Sequence, residues 1–436
     1  MSPAIKFLLF APILAVGLGV PLAVADPVWE ACSKTPTRAC VFDEAVREAT
    51  SIKEQSSRVS ALATVAVAQA NADLVKESAL NFEQALKEAK SIQDAGDRAQ
   101  SFLSLAQAEA EAGRIPEALQ LAQSIDSPGL RLRALGAVAA AQEKAGRHEE
   151  AAANFALAVS LARSEKQDIA RVYAIVSTAR AQRRGGLKKE AAASLAQALV
   201  EGQAVKPDRM RSIALSVVAI AEVDVGEIPN ALQIAQSIAD ERSRAPVLRN
   251  VAVAQAEAGR VAEASEIAQS VQDPVMRAHA LAAIAAAQEK SGLAKEASVN
   301  FDQARQLVLS SAKGSEQAIT VADIAAAQAK AGLAKEAAAN FESVGQVVHS
   351  ITDDDQRALA FVFVGTAQAQ AGRISEALAS AQSTTEAMGR PDVLDAVIAA
   401  QQSAGDISGA LRTAQSIADD NRRIDVLARI ASTLPN

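Results

Sequence analysis

The sequence contains few of the side chains that usually build active sites. Aromatic residues make up 3% of the 436 residues, with one Trp and one Tyr, and there are three His and two Cys. Half of the residues are nevertheless hydrophobic, which excludes a disordered chain. Because many of these are alanine, they pack helices closely but fill little volume. This composition argues against an ordinary enzyme pocket.

Long apolar runs are also missing, apart from one at the start of the chain. Lys6 precedes an apolar stretch over residues 7–22, and Ala23-Val24-Ala25 supplies the small residues of a cleavage site before Asp26. These features predict a signal peptide over residues 1–25. We therefore expect a periplasmic or secreted protein with no membrane span after cleavage. The net charge of −7, without long Lys/Arg runs, argues against nucleic acid as a partner.

Both cysteines, Cys32 and Cys40, lie close together after the predicted cleavage point. In an oxidising compartment they are expected to form a disulfide within an N-terminal segment spanning residues 26–43. A redox-active pair is the alternative, but that would normally have the form C-x-x-C beside a βαβ unit, and neither is present.

Internal repetition is the dominant feature of the chain. A turn related to A-G-[RL]-x-x-E-A recurs at intervals of 33 or 40 residues, and the order 40, 40, 33, 33 repeats after 146 residues. The register extends backwards to Asp73 and Cys40. The turn glycines are Gly113, Gly146, Gly186, Gly226, Gly259, Gly292, Gly332, Gly372 and Gly405.

Each repeat is predicted to form two helices joined at the glycine, which suits a left-handed position at a helix end. No segment alternates with a period of two for long enough to suggest a strand. The longer repeats carry seven more residues, which correspond to about 10 Å of helical rise. They follow the turns at Asp73, Gly146, Gly186, Gly292 and Gly332.

The repeats resemble the tetratricopeptide repeat. Its spacing of glycine, alanine, an aromatic residue and alanine is matched by Gly146, Ala151, Phe155 and Ala158, and again after Gly292 by Ala297, Phe301 and Ala304. The resemblance implies an all-α fold, a right-handed superhelical solenoid of antiparallel helix pairs, over residues 44–436. It also implies a scaffold that binds proteins or peptides and needs no cofactor.

Two polar series recur in register with the turns. An Arg stands fifteen residues before almost every turn. It could form an ion pair with an acid four residues earlier that caps the helix. Alternatively, the arginines could form a ladder that binds an acidic ligand. Gln stands four residues before most turns, replaced by Glu109 and Glu222 in two of them. These amides could bond between neighbouring repeats or contact a ligand. The Arg series is Arg58, Arg98, Arg131, Arg171, Arg211, Arg244, Arg277, Arg357, Arg390 and Arg423.

The resemblance places four first-helix positions on the concave groove, at thirteen, ten, nine and six residues before each glycine. Most of these positions hold Ala, Val, Ser or Thr. The more distinctive side chains at these positions form a predicted binding groove for a protein or peptide: Tyr173, Ser177, Arg180, Arg249, Asn250, His279 and Asp323.

The two ends of the chain fall in the middle of a repeat. Residues 44–52 align with a second helix that lacks its first partner, and residues 423–433 with a first helix that lacks its second. We expect the disulfide segment and Trp29 to cap the exposed N-terminal end, because a terminal repeat has one face without a neighbour.

No motif for catalysis or metal binding accompanies the repeats. The three His occur in different registers, and no phosphate-binding loop or nucleophile elbow is present. The sequence therefore predicts an exported, non-enzymatic scaffold for protein or peptide binding. An enzyme acting on envelope glycans and a self-associating structural protein remain alternatives.

Overall fold

The computed structural model describes residues 27–435, and every regular element in that range is helical. The signal peptide predicted for residues 1–25 lies outside the described residues. Helix α1 spans Pro27–Lys34, and helix pairs follow it along the chain. The predicted all-α solenoid of antiparallel helix pairs is confirmed.

The helices alternate between first and second members of a pair. The first helices are α3 (Gln55–Asn71), α5 (Ala95–Glu111), α7 (Pro128–Lys144), α9 (Asp168–Arg184), α11 (Asp208–Val225), α13 (Glu241–Glu257), α15 (Pro274–Lys290), α17 (Gly314–Lys330), α19 (Asp354–Gln370), α21 (Arg390–Ser403) and α23 (Asp420–Thr433). The second helices are α2 (Arg38–Ser51), α4 (Val75–Ser91), α6 (Ile115–Ser124), α8 (His148–Arg163), α10 (Lys188–Ala204), α12 (Ile228–Ser237), α14 (Val261–Ser270), α16 (Ala294–Ser311), α18 (Ala334–Ser350), α20 (Ile374–Gln382) and α22 (Ile407–Gln415).

The turn within a pair is fixed by its glycine, as Gly186 shows. Its φ of 93° lies in the left-handed region, which a side chain would disfavour. The Gly186 N–H bonds to the Arg183 carbonyl, and the Leu187 N–H bonds to the Gln182 carbonyl at 2.9 Å. These two hydrogen bonds end the first helix, so that the second can begin at Lys188.

The extra residues of the longer repeats lie almost entirely in the second helix. α6 has 10 residues, whereas α10, from a longer repeat, has 17. Four of the five longer helices bury a phenylalanine nine residues after the turn, at Phe82, Phe155, Phe301 and Phe341, none more than 3% exposed. The alanine five residues after each turn glycine is at most 2% exposed, as at Ala118, where a larger side chain would push the paired helices apart.

The two kinds of helix form two layers. Each first helix packs against the first helix of the next repeat, and each second helix packs against the first helices on either side of it. Successive second helices within residues 27–435 do not pack against one another. The first helices therefore form the tightly curved inner wall, and the second helices are splayed around the outside.

The two ends of the array meet, so the solenoid closes on itself. α23 packs against α3 as the next first helix, and against α2 as its own second helix. Arg423 bonds Glu48 at 2.6 Å across this seam, as Arg171 bonds Glu201 at 2.9 Å within the array. In both pairs the glutamate stands three residues before the last residue of its helix. The seam therefore has the contacts of an ordinary repeat, and eleven helix pairs complete the ring.

The expectation of two separate exposed ends is wrong, because each half repeat supplies what the other lacks. The disulfide between Cys32 and Cys40 is confirmed, and it joins α1 to α2. α1 also packs against α22, and both Trp29 and Cys32 are buried. This segment thus spans the seam between the first and last parts of the chain instead of capping a free end.

Candidate functional site on the inner wall

The recurring arginines have a structural role. Arg98 donates to the carbonyl of Ile92 at 2.7 Å, and Arg277 donates to that of Val271 at the same distance. In each case the carbonyl lies six residues earlier, where the preceding second helix has just ended and its last carbonyls lack helical partners. Eight of the ten arginines therefore close helix ends in this way. Acids do cap the first helices, but the ion pairs form with an acid three residues before the arginine, as in Asp168 and Arg171 at 2.8 Å.

Seven of the eight recurring glutamines join the two helices of their own repeat through a hydrogen bond. The Gln69 side-chain oxygen accepts from Asn81 at 2.7 Å, and Gln328 accepts from Asn340 at 2.7 Å. The donor stands twelve residues later, on the second helix of the same repeat. The predicted ladder between neighbouring repeats is therefore wrong, although the alternative of ligand contact is also disfavoured because the amides are buried.

The inner wall encloses an opening large enough for a polypeptide. Eleven helices about 9 Å apart would form a circle of axes about 32 Å across. Subtracting the radius of a helix with its side chains on each side leaves an opening of about 20 Å. An α-helix of about 10–12 Å diameter would fit within it.

One group of predicted groove residues lies on α9. Tyr173 is 45% exposed, and Ser177 and Arg180 line a pocket of about 220 Å³ between α5, α7 and α9. Arg133 of α7 and Arg184 of α9 line the same pocket, and no acidic residue does. Three guanidinium groups thus face one small volume of the inner wall.

These three arginines are only partly neutralised. Arg180 pairs with Asp224 of α11 at 3.0 Å, and both side chains are more than 40% exposed. Arg133 and Arg184 are exposed, and neither has a salt bridge to another residue of the described range. Exposed guanidinium groups of this kind can bind a carboxylate through two parallel hydrogen bonds.

A second group of predicted groove residues comes together on α13, α15 and α17. Arg249 donates to the Asn250 side-chain oxygen at 2.8 Å, while its buried Nε has no hydrogen-bond partner. His279 Nδ1 lies 3.8 Å from the Asp323 carboxylate, which is too far for a direct hydrogen bond. α11 separates this group from the one on α9, so the predicted groove is two patches.

Burial and Arg249 set the charges of the second patch. Burial and, to a smaller extent, the Arg249 cation lower the pKa of His279 to about 4, so the ring is neutral at pH 7. Desolvation on the concave wall raises the pKa of Asp323 to about 6, opposed by Arg249, although 46% of its side chain meets solvent. At neutral pH the patch therefore presents a cation, a mostly ionised carboxylate and a neutral imidazole, which suits a ligand with both donors and acceptors.

Sequence reasoning missed Arg133 and Arg184. Arg133 stands thirteen residues before its turn, the same position as Tyr173, so its residue type alone could have identified it. Arg184 stands two residues before its turn, one helical turn beyond the positions considered. The exposed Phe363 of α19, 47% exposed on the inner wall at the position of Ser177, was also missed.

Two other kinds of functional element are absent from the described residues. No group of three His, Cys, Asp or Glu side chains within residues 27–435 is placed to hold a metal ion. None of the helices in that range has the length and apolarity needed to cross a bilayer.

Comparison with known proteins adds little beyond the architecture. No protein-family model and no curated protein matches the sequence. Among solved structures, a protein of Thermococcus onnurineus NA1 is 14% identical, with 84% of this chain and 98% of that chain covered and a TM-score of 0.32. A Rap protein complexed with competence and sporulation factor is 12% identical, covering 85% and 99%, with a TM-score of 0.28.

A third similar structure contains kinesin light chain TPR-like repeats from Podosopora anserina. It is 20% identical, covers 48% of this chain and 100% of that one, and has a TM-score of 0.28. At these identities and TM-scores the likeness carries no functional argument. The TPR-like architecture of this protein rests on its own repeat register and helix contacts.

Proposed function

We propose that the protein is a non-enzymatic, ring-shaped scaffold that holds a polypeptide segment of a partner protein against its inner wall. The observation that carries this proposal is the division of labour among polar residues. Most of those that recur in register, such as Arg98 and Gln69, have hydrogen-bond partners within the fold. The unrepeated ones, such as Arg133 and Arg184, face the enclosed opening without a salt bridge.

The chemistry of the wall favours a segment that carries carboxylates. The pocket of Arg133, Arg180 and Arg184 is lined by no acid, and the Ser177 hydroxyl adds a donor. The second patch, around Arg249, supplies another cation two first helices further along. A polypeptide with acidic side chains separated by an extended stretch could therefore contact both patches.

The proposed setting is the periplasm or the outside of the cell. The signal-like residues 1–25 support it, and a disulfide between Cys32 and Cys40 is compatible with an oxidising compartment. Sequencing the N-terminus of the protein recovered from the exported fraction would test this part. A mature chain starting at Asp26 is expected, whereas an uncleaved cytoplasmic chain would refute it.

The binding proposal is tested by crosslinking and affinity capture from an envelope or secreted fraction. A variant carrying Tyr173→Ala, Arg180→Ala and Arg249→Ala is expected to lose the partner captured by the wild type. A matched variant with Arg163→Ala, Lys189→Ala and Lys335→Ala on the outer helices should retain it. Equal capture by both variants would exclude the inner wall.

Light scattering of the same samples separates this proposal from self-association. A binding ring should remain a single chain without its partner. A concentration-dependent assembly that survives the inner-wall substitutions would instead favour a structural role.

A further inference from the structure

Glu222 is one of three residues, with Glu109 and Gln255, at which a hydrogen bond made by the other repeats is missing. The position four residues before the turn is usually Gln, and in seven repeats its side-chain oxygen accepts a bond from Asn, Ser or Thr twelve residues later. At Glu222 the residue twelve positions later is Ile234, which cannot donate. An acid therefore occupies a place where its own repeat provides no equivalent partner.

The Glu222 carboxylate is buried and incompletely satisfied. The residue is 2% exposed, and its Oε2 has no hydrogen-bond partner. Burial raises its pKa, the Asn230 amide opposes the rise through a hydrogen bond, and the Glu227 carboxylate adds to it. No cationic side chain contributes. An unpaired buried carboxylate is costly, so a cation from outside the repeat would stabilise it.

Glu109 is the matched position, and its Oε2 also has no hydrogen-bond partner, but it has a cation nearby. It is also an acid four residues before a turn, and it is 1% exposed. Arg114, the residue after its turn, places Nε 3.9 Å from the Glu109 carboxylate. In the repeat of Glu222 the corresponding residue is Glu227, which has the opposite charge. A cation therefore lies close to the buried carboxylate in one repeat, and an anion takes its place in the other.

Glu222 also lines a pocket on the outer side of the ring, in the groove between α10 and α12. The pocket has a volume of about 230 Å³, roughly eight times the volume that a water molecule occupies in the liquid. Leu199 and Ile234 give it apolar walls, while Gln203, Asn230 and Gln233 supply amide groups. An aliphatic stem would lie against the apolar walls. An ammonium group has three donors for the Glu222 carboxylate and the amide oxygens.

We propose that this pocket binds a primary ammonium group on a short aliphatic stem, with Glu222 as its counter-ion. The group could be carried by a free amine or by a lysine side chain of a protein that docks on the outer helices. This site is separate from the inner wall and does not depend on the function proposed for it.

The test measures binding of three probes by calorimetry at about pH 8, far above the ordinary pKa of a glutamate. The probes are butylammonium, a blocked lysine amide and the neutral 1-butanol. We expect one butylammonium to bind per chain and 1-butanol not to bind. If the blocked lysine amide binds at least as tightly as butylammonium, the ligand is a protein side chain; if it is excluded, the ligand is a free amine.

Two variants keep the test independent of folding defects. Glu222→Gln introduces the amide that most repeats already have, so it should fold and should weaken butylammonium binding at least tenfold. Glu109→Gln makes the same chemical change outside the pocket and should leave binding unchanged. Equal binding of butylammonium by the wild type and by Glu222→Gln would overturn the proposal. So would a wild type that binds no amine, even if Glu222→Gln proves more stable than the wild type.

Discussion

Arg423→Ala is expected to open the ring at its seam. The Arg423 and Glu48 side chains are 19% and 15% exposed, and they pair at 2.6 Å between α23 and α2. Arg423 also donates to the Ile417 carbonyl at 2.6 Å. Burial raises the pKa of Glu48 even though Arg423 acts to lower it. The Glu48 carboxylate therefore depends on the guanidinium group to remain ionised in the closed ring.

The size of the effect follows from this burial. Removing one member of a buried ion pair costs about 3–5 kcal/mol. Because both side chains are partly exposed, we expect a cost at the lower end of this range, about 3 kcal/mol. Opening the seam exposes Glu48 to water, so the substitution destabilises the closed ring much more than the open one. Since 1.4 kcal/mol is a tenfold change in an equilibrium constant, the open ring should become about 100-fold more populated.

Amide hydrogen exchange is the direct assay. Exchange in α2 and α23 should be about 100-fold faster in Arg423→Ala, and the radius of gyration from small-angle scattering should increase if the open ring becomes populated. The control is Arg171→Ala, which removes the equivalent pair with Glu201 within the array. That variant should speed exchange in α9 and α10 without affecting the seam. Unchanged exchange in α2 and α23 of Arg423→Ala, or the same increase in radius in both variants, would refute a seam held by this pair.

Two further predictions concern stability. The pKa of Glu109, raised by burial to about 7, exceeds its ordinary value of 4.5, so ionisation opposes folding and the penalty grows between these two pH values. Glu109→Gln should therefore add about 3 kcal/mol to the free energy of unfolding above pH 7 and much less near pH 4. Urea denaturation at both pH values checks this, and an equal gain at both would contradict it. Replacing Cys32 and Cys40 by Ser should cost about 2.5 kcal/mol by the loop-entropy model. Proteolysis should then cut first around α1, and a cleavage pattern identical to that of the wild type would show that the disulfide does not hold this helix.

The elements of the fold were predictable because each repeat gives the same local signals. Gly186 marks a turn, Ala118 marks a close approach of two helices, and Phe155 fills the longer second helix. These are properties of a few neighbouring residues, and their recurrence at a fixed period removes most of the ambiguity of a single occurrence. The disulfide was predictable for a different reason: the chain contains only two cysteines, and they lie close together in the sequence.

The candidate site was predictable in part. Position relative to the turn placed Tyr173 and Arg249 on first helices, which form the inner wall. It could not show that α11 separates the two patches, or that Arg133 from another helix completes the first. Such groupings depend on how the helices are rotated relative to their neighbours, and the repeat pattern of one chain does not contain those angles.

The roles of the polar series also required the structure. From spacing alone, the guanidinium group of Arg98 and the side-chain amide of Gln69 were each compatible with a ligand contact. Atomic positions assign Arg98 to a carbonyl of the preceding helix and Gln69 to Asn81. A hydrogen bond is directional and short, so its partner is decided by side-chain geometry that residue type does not specify.

The sequence by itself determined a solenoid of helix pairs, the length of each repeat and the scarcity of ordinary pocket residues. Only the tertiary structure decided that the array is a ring, because closure depends on a rotation of about 33° per repeat summed over eleven repeats. A change of a few degrees per repeat would leave the ends apart. In the ring, α2 and α23 form the helix pair that closes the array.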